Sequence, residues 1–325
     1  MPPKIDLIDR KILYELDQDS RLSLDKIAKK ARCSKQTLHY RIQRLVREGV
    51  VTGFITAIDT AKLGYSIYIV WIEMSGISLE KKKDFLNYLV KHGNVQWVAG
   101  CGGKFDAAIQ IAAKSVSEFN SIFKGIQGRF PGYIKNSVIS LIYEYHRYKK
   151  VFSLHNAEER EELFRIGEGA QVAADDGDLK LLALLSKDSR AETLELARRS
   201  GMSPNTVRSR MKRMEEDGLI KAFTISIQEK KMGIERQHML VSLHNMNEDT
   251  EKELEAFCLE KQEVSFLLRV IGKWDAYIIV DPSSNVEFQN FLTEFRTKFA
   301  GIIKDFELAN VMDDLKFEYF PMKAV

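Results

Sequence analysis

The stretch SKQTLHYRIQRL, residues 34–45, decides the fold of this chain. Its apolar residues Leu38, Ile42 and Leu45 are spaced at i, i+4 and i+7, which predicts a helix with one apolar face. Ser34 stands before the helix as an N-cap, and a glycine follows it as a C-terminal cap. The remaining positions carry cations, amides and hydroxyls. The pattern therefore predicts a helix that packs on one side and presents polar groups on the other.

The same pattern occurs a second time, because the sequence repeats itself with an offset of 169 residues. Around this helix, Ser34, Thr37, Arg41 and Arg44 recur as Ser203, Thr206, Arg210 and Arg213. The register still holds far downstream, where residues 103–106, GKFD, recur as 272–275, GKWD. A period this long is not that of a stacked solenoid. The chain is a duplicated module, and each half is expected to fold separately.

Two shorter apolar-periodic segments precede each such helix, at Asp6–Leu16 and Leu24–Ala31 in the first half. Three short helices with a tight turn before the last one predict a helix-turn-helix. A helix about 10–12 Å wide fits the major groove of DNA, with its first side chains at base edges. The predicted DNA contacts are Lys35, Gln36, His39, Tyr40, Arg41, Gln43 and Arg44, with Asn205, Thr206, Arg208, Ser209, Arg210, Lys212 and Arg213 in the copy.

The non-functional interpretation of such a charged face is a helix surface that is simply exposed to solvent. Its presence in both copies favours DNA binding, because a purely structural bundle has no need to keep a cationic outer face twice. The two copies differ in charge, however. Residues 35–48 carry four basic and one acidic side chain, and residues 204–217 carry four basic and three acidic ones. The second unit is expected to hold phosphates less tightly.

The remainder of each half alternates strand and helix in the order βαββαβ, which predicts a ferredoxin-like layer. Each β-rich segment directly after a third helix is interpreted as a wing strand. The fold class is α+β, with one open sheet face per module that needs a partner. Predicted domains are residues 1–60 and 178–229 for the winged helix-turn-helix units, 61–152 and 230–325 for the ferredoxin-like units, and an acidic, partly helical linker at 153–177.

The combination resembles the Lrp/AsnC family of bacterial and archaeal transcription regulators, twice over nearly the whole chain. The resemblance implies sequence-specific binding to double-stranded DNA, self-association through the ferredoxin-like domains, and an amino acid or related small effector. Effector contacts are expected near the turn between two strands, at Gly100, Gly102, Gly103, Asp106, Gly272 and Asp275. The alternative for these residues is a purely structural hairpin, with glycine supplying positive φ and Asp bonding local amides.

Two other function classes are alternatives to a transcription regulator. The same two-domain fold occurs in siroheme decarboxylases, which need His and Arg side chains for tetrapyrrole carboxylates. No histidine has a histidine at the equivalent position of the repeat, and none has a recognisable catalytic spacing. The six histidines are His39, His92, His146, His155, His238 and His244. The sequence therefore predicts no enzyme, no catalytic residue, no cofactor and no metal. A DNA-independent effector-sensing assembly protein would carry neutral or acidic third helices.

Cysteine usage and hydropathy bound the remaining possibilities. The three cysteines, Cys33, Cys101 and Cys258, are odd in number and have no metal-like spacing, so small buried hydrophobes are expected. No apolar run is long enough for a membrane span, and the first residues have no apolar signal core, which favours a cytoplasmic protein without a membrane partner. The sequence leaves open whether the ferredoxin-like domains pair within one chain or between chains.

Overall fold

The computed structural model describes residues 3–150, 161–167, 169–244 and 247–321. The first half contains α1 (Leu7–Gln18), α2 (Leu24–Ala31), α3 (Lys35–Arg47), β1 (Val51–Ile58), β2 (Ser66–Met74), α4 (Leu79–Lys91), β3 (Val95–Gly102), β4 (Ala107–Ala113), α5 (Val116–Arg129), β5 (Ile134–Tyr148) and β6 (Glu162–Ile166). The second half contains α6 (Asp176–Lys187), α7 (Thr193–Ser200), α8 (Pro204–Glu216), β7 (Ile220–Ile227), β8 (Gln237–Leu243), α9 (Glu248–Glu260), β9 (Val264–Ile271), β10 (Ala276–Val280), α10 (Asn285–Lys298) and β11 (Ile303–Phe317).

Side-chain caps begin the third helix of each unit as predicted. The Ser34 hydroxyl accepts a hydrogen bond from the backbone N–H of Thr37 at 3.1 Å, and Ser203 accepts one from Thr206 at the same distance. The predicted glycine caps follow, with φ of 69° at Gly49 and 66° at the equivalent glycine. These bonds satisfy amides that a helix start otherwise leaves without partners.

The ferredoxin-like modules join edge to edge within the one chain. The strand order is β2-β4-β3-β11-β8-β10-β9-β5-β6, and β2 also pairs with β5. Eight strands therefore close into a barrel, with β6 added beside the end of β5. At one junction β11 pairs with β3, and at the other β5 pairs with β9. Closure removes the open edges that would otherwise recruit other chains.

The inner faces of the two sheets share one apolar core. That core contains Trp71 and Trp97 from the first module and Phe266 and Tyr277 from the second. The outer face of each sheet packs against the helices of its own module in a separate core. The open sheet faces therefore cover each other, as the sequence predicted, and the partner is the other half of the same chain.

The predicted wing strands are present, but they pair with each other. β1 and β7 form an antiparallel two-stranded ribbon with Phe54 opposite Ile225. Ile225 belongs to the apolar core of the first helix-turn-helix unit, and Ile58 belongs to that of the second. Each unit thus completes its core with a strand from the other, which couples the two units firmly.

The segment predicted as a linker contains a strand. β6 pairs with the end of β5, with Tyr145 opposite Ile166. The acidic run at 158–160 lies outside the described residues. Cys101 and Cys258 are buried and Cys33 is partly buried, as expected for small hydrophobes. Within the described residues, every helix is too short or too polar to cross a lipid bilayer.

Candidate nucleic-acid interface

The outer faces of α3 and α8 carry most of the predicted DNA contacts in exposed positions. The exposed residues are Lys35, Gln36, His39, Tyr40 and Gln43 on α3, with Asn205, Thr206, Arg208, Ser209, Lys212 and Arg213 on α8. The ring of Tyr40 is unusually open for a large aromatic side chain, at 60% exposure. These side chains provide hydrogen-bond donors and acceptors on the surface of each third helix, and on α3 also an aromatic face, which is the chemistry that base edges require.

Two predicted phosphate contacts on α3 are engaged inside the unit instead. Arg41 lies 2.7 Å from an Asp6 oxygen and 2.9 Å from an Asp9 oxygen, and Arg44 lies 2.5 Å from the other Asp9 oxygen. Asp9 is fully buried, so these arginines neutralise a carboxylate that would otherwise be costly to desolvate. They hold the third helix against the start of the first.

The second unit repeats the same arrangement. Arg210 lies 2.6 Å from Asp175 and 2.8 Å from Asp178, and Arg213 also pairs with Asp178. In the first unit, burial is the largest single influence on the pKa of Asp6 and raises it, but the hydrogen bonds from Arg41 and Asp9 and the charge of Arg41 together lower that pKa to about 2. The arginines at these four positions are therefore structural cations first. Any phosphate contact by them stays a prediction.

Polar side chains along each third helix also contact each other. Gln43 Nε2 lies 2.8 Å from His39 Nε2, and Arg208 donates to the Asn205 side-chain oxygen at 2.7 Å. These contacts orient the exposed amides on the two helix faces. Because the residues are different, the two faces present different patterns of donors and acceptors.

The turns predicted to contact an effector are hairpins whose aspartates bond to a neighbouring strand. The Asp106 carboxylate accepts from the Met74 N–H at 2.8 Å, and Asp275 accepts from the Leu243 N–H at 2.7 Å. A side chain at Gly272 would lie 2.5 Å from the Ser140 hydroxyl, so the backbone approach requires glycine there. Both aspartates thus have a structural role, but they join each hairpin to the end of β2 or β8 and do not bond the local amides that were expected. Effector contact at Gly100, Gly102, Gly103, Asp106, Gly272 and Asp275 stays a prediction.

A cavity of about 460 Å³ lies between the β1–β7 ribbon and the barrel. Aromatic rings form much of its wall, among them Trp71, Trp97 and Tyr277. His238 lies among them, with its ring stacked on Trp97 at a centroid distance of 6.0 Å. Burial and the neighbouring Arg236 lower the pKa of His238 to about 3, so this imidazole is neutral. The cavity joins an aromatic surface to an uncharged nitrogen base.

Charged residues at the other side of this cavity form a buried network. Arg236 lies 2.7 Å from Asp281 and also pairs with Glu229, while Lys150 lies 3.2 Å from Asp281. Burial alone would raise the pKa of Asp281, but Arg236 and Lys150 hold it well below its usual range. Sequence reasoning missed this cavity, because its residues come from both halves. The one available signal was the pair Arg236 and His238, two positions apart at the start of β8.

The family whose description is winged helix-turn-helix DNA-binding matches residues 5–52 and 175–221. The HTH-type transcriptional regulator FL11 of Pyrococcus abyssi is 30% identical over 132 residues, which cover 41% of this chain and 85% of that protein. An uncharacterized HTH-type transcriptional regulator of Pyrococcus furiosus is 32% identical over 124 residues, covering 38% and 82%. This chain belongs to the winged helix-turn-helix transcriptional regulators of the Lrp/AsnC family, with the family's module duplicated in tandem.

A crystal structure of the siroheme decarboxylase NirDL is similar across both halves. It has a TM-score of 0.63 at 14% sequence identity and covers 97% of this chain and 94% of its own. The same enzyme in co-complex with an iron-uroporphyrin III analogue has a TM-score of 0.62 at 13% identity, with the same coverage. The arrangement of two joined modules thus occurs in an enzyme. This finding contradicts the sequence-based prediction that the chain is not one, since missing histidine spacing no longer excludes catalysis.

Proposed function

We propose that this transcriptional regulator binds one double-stranded DNA operator sequence-specifically through both of its helix-turn-helix units. The observation that carries the proposal is the β1–β7 ribbon, which joins the two units so that α3 and α8 move together. Two helices held in this way read two half-sites of a pseudo-palindrome. The half-sites differ in sequence, because Lys35, Gln36 and His39 are replaced by other side chains on α8.

Salt-dependent titration tests this proposal. Binding of the full chain to a duplex of several helical turns should weaken with salt, with log K falling by about 0.9 per log unit of salt for each phosphate neutralised. Lys35→Ala and Arg208→Ala should each make that slope shallower by about 0.9, which is the contribution of one phosphate. Lys124→Ala, on the exposed side of α5, is the matched control and should leave the slope unchanged. Absence of binding at low salt, or a slope near zero, would refute the proposal.

The cavity under the ribbon is the proposed site of effector control. Its aromatic wall and the adjoining Arg236 and Glu229 suit an amino acid, whose apolar side chain needs apolar contact and whose charged groups need ion-pair partners. A ligand there contacts both the barrel and the strands that complete the helix-turn-helix cores. Its occupancy would therefore change the relative position of α3 and α8.

Titration with L-amino acids, followed by tryptophan fluorescence, tests the effector site because Trp71 and Trp97 line it. A responding ligand should lose its effect in Ile279→Phe, which fills the cavity. Val286→Phe, at an exposed position on α10, is the control and should respond like the parent protein. A response that persists in Ile279→Phe would place the effector elsewhere, and no response to any amino acid would end this part of the proposal.

A second candidate function is favoured by the whole-chain likeness to siroheme decarboxylase and by the same cavity. A neutral histidine among aromatic rings, with Arg236 and Arg147 nearby, offers apolar stacking for a macrocycle and cations for its carboxylates. Absorbance spectra of the protein with siroheme would show binding, and mass spectrometry of the incubated siroheme would show loss of carboxyl groups. An unshifted spectrum together with intact substrate would exclude this candidate.

A further inference from the structure

A group of potential metal ligands lies where the first module meets α9 of the second. Glu144 Oε2 lies 2.9 Å from His146 Nε2, and Glu255 Oε1 lies 3.2 Å from the same nitrogen. One ligand atom from each of the three residues lies within 4.8 Å of the others. His146 is fully buried and Glu144 is nearly so. Two oxygens and one nitrogen thus converge in the interior of the protein.

The imidazole of His146 is oriented by a fourth residue. Its Nδ1 lies 2.6 Å from Glu162 Oε1, and because a carboxylate can only accept, Nδ1 donates the proton. Nε2 then faces the other two carboxylates but makes no hydrogen bond with either, and Glu255 Oε1 makes none. Metal-binding histidines are typically held by such a carboxylate on the opposite nitrogen, which directs the free lone pair at the ion.

The charges around this nitrogen do not balance without a further cation. Four carboxylates share the cluster with two guanidinium groups, namely Glu144, Glu162, Glu251 and Glu255 with Arg165 and Arg269. The four carboxylates carry two more negative charges than the two guanidinium groups balance. His146 is fully buried and Glu144 nearly so, while the other three carboxylates are partly exposed. Unbalanced charge beside buried groups is costly, and a divalent ion supplies the missing charge in full, whereas a proton on the imidazole supplies half of it.

The spacing of the ligand atoms also fits an ion. Bonds of about 2.0–2.2 Å place two ligand atoms about 2.9 Å apart at a right angle and about 3.4 Å apart at a tetrahedral angle. The separations of 2.9 and 3.2 Å from Nε2 fall in that interval. One imidazole and two carboxylates are a ligand set that zinc and other first-row divalent metals accept.

The second half of the repeat does not contain this cluster. The positions equivalent to Glu144, His146 and Glu255 are Asp313, Leu315 and Leu86. The other barrel junction, β3 with β11, forms without such ligands. The polar cluster is therefore not needed to make the fold, and its presence at one junction alone indicates a specific role there.

We propose that Glu144, His146 and Glu255 bind one divalent first-row transition-metal ion, with zinc as the best match, at the junction of the two modules. Glu162 positions His146 as a ligand, and Arg165 and Arg269 hold the carboxylates in place. The ion links β5 to α9 and so fastens the first module to the second. This site departs from the sequence-based prediction of no metal, and it is independent of DNA binding.

The test is metal titration of the full chain after treatment with a chelator. Calorimetry with Zn²⁺ and visible absorbance with Co²⁺ should show one ion per chain. His146→Gln and Glu255→Gln should abolish that stoichiometric binding, and Glu162→Gln should weaken it by about 10–100-fold because the ligands remain but lose their orientation. His244→Gln, which alters an exposed histidine, is the control and should bind like the parent protein.

Circular dichroism of each variant separates loss of the ion from loss of the fold. If His146→Gln does not fold, Glu255→Gln decides the matter, because Glu255 lies on a helix with a partly exposed side chain. The proposal is overturned if the folded parent protein takes up no stoichiometric Zn²⁺, Co²⁺, Mn²⁺ or Fe²⁺, which would leave a protonated His146 as the missing cation. It is equally overturned if both variants retain the ion.

Discussion

The hydroxyl oxygen of Ser20 lies 2.6 Å from that of Ser189, and the two serines occupy the same position of the repeat. Both are fully buried. Arg21 donates to the Ser189 carbonyl at 2.5 Å, and the equivalent Arg190 donates to the Ser20 carbonyl. A pseudo-twofold axis therefore passes between the serines. At the hairpins the equivalent rings of Phe105 and Trp274 also face each other, with their centroids 6.3 Å apart.

This serine pair should show strong coupling between its two mutations. Ser20→Ala leaves the buried Ser189 hydroxyl without a partner, which should lower the free energy of unfolding by about 1–3 kcal/mol. Ser189→Ala should cost a similar amount, but the double variant should cost much less than the sum because it leaves no unpaired hydroxyl. Urea unfolding of the parent protein, the two single variants and the double variant measures this coupling. Strictly additive losses would show that the hydroxyls do not depend on each other.

Arg44 and Arg47, on the same helix, should differ in what they affect. Arg44→Ala removes a cation from buried Asp9 and should reduce the free energy of unfolding by about 2 kcal/mol, since Arg41 still contacts Asp9. Arg47→Ala, the exposed control, should change stability by less than about 0.5 kcal/mol. Urea unfolding of both variants distinguishes these roles. Equal stability of the two would mean that Arg44 does not hold the helices together.

His238 should make the protein less stable in mild acid. Its pKa is depressed to about 3 in the folded state, so below the ordinary histidine value near 6.5 the unfolded chain takes up a proton that the folded chain does not. Stability from this group is present above about pH 6.5 and is lost as the pH falls toward 3.

Chemical unfolding at a series of pH values between about 7 and 4 measures this loss. His238→Phe, which keeps a ring beside Trp97, should flatten the profile, whereas the exposed control His244→Gln should leave it unchanged. The same slope in His238→Phe and the parent protein would assign the acid sensitivity to other groups.

Footprinting of the full chain on its operator should show paired protection. Two helices related by the pseudo-twofold axis should protect patches whose centres lie about 10–10.5 base pairs apart, or a multiple of that spacing. Shortening the spacer by half a helical turn should abolish the weaker patch, because the helices then face opposite sides of the duplex. A single patch that is insensitive to spacer length would show that the units act alone.

Local patterns in the sequence were enough to predict the elements of each module. The order βαββαβ predicted for each module is the observed order, because alternation and helical period are local signals. The pairing of β1 with β7 could not be predicted in this way. Phe54 and Ile225 are far apart in the sequence, and an apolar alternating strand fits an internal wing as well as a ribbon between units.

The same limit applies to the candidate sites. The exposed face of the third helix followed from periodicity, but the buried state of Asp9 did not, so the ion pairs of Arg41 and Arg44 with it were not predicted. His146 and Glu144 are two apart on one strand, which places them on one face. Glu162 comes from β6, which pairs with the end of β5, and Glu255 comes from a helix that only the closed barrel brings beside them. The spacing of residues within one segment does not indicate which residues of distant segments lie beside them in the folded protein.

The closed barrel, made from unlike halves of one polypeptide, gives the molecule a direction. A symmetric homodimer fits its operator equally well after rotation by half a turn about its axis, so it cannot distinguish upstream from downstream. Here α3 and α8 carry different side chains, and β1 and β7, which join their units, belong to the same polypeptide. The left and right ends of the protein are fixed relative to each other at any dilution. On the operator proposed above, such a molecule is expected to bind in one orientation, so that whatever the barrel contacts is always presented on the same side of the gene.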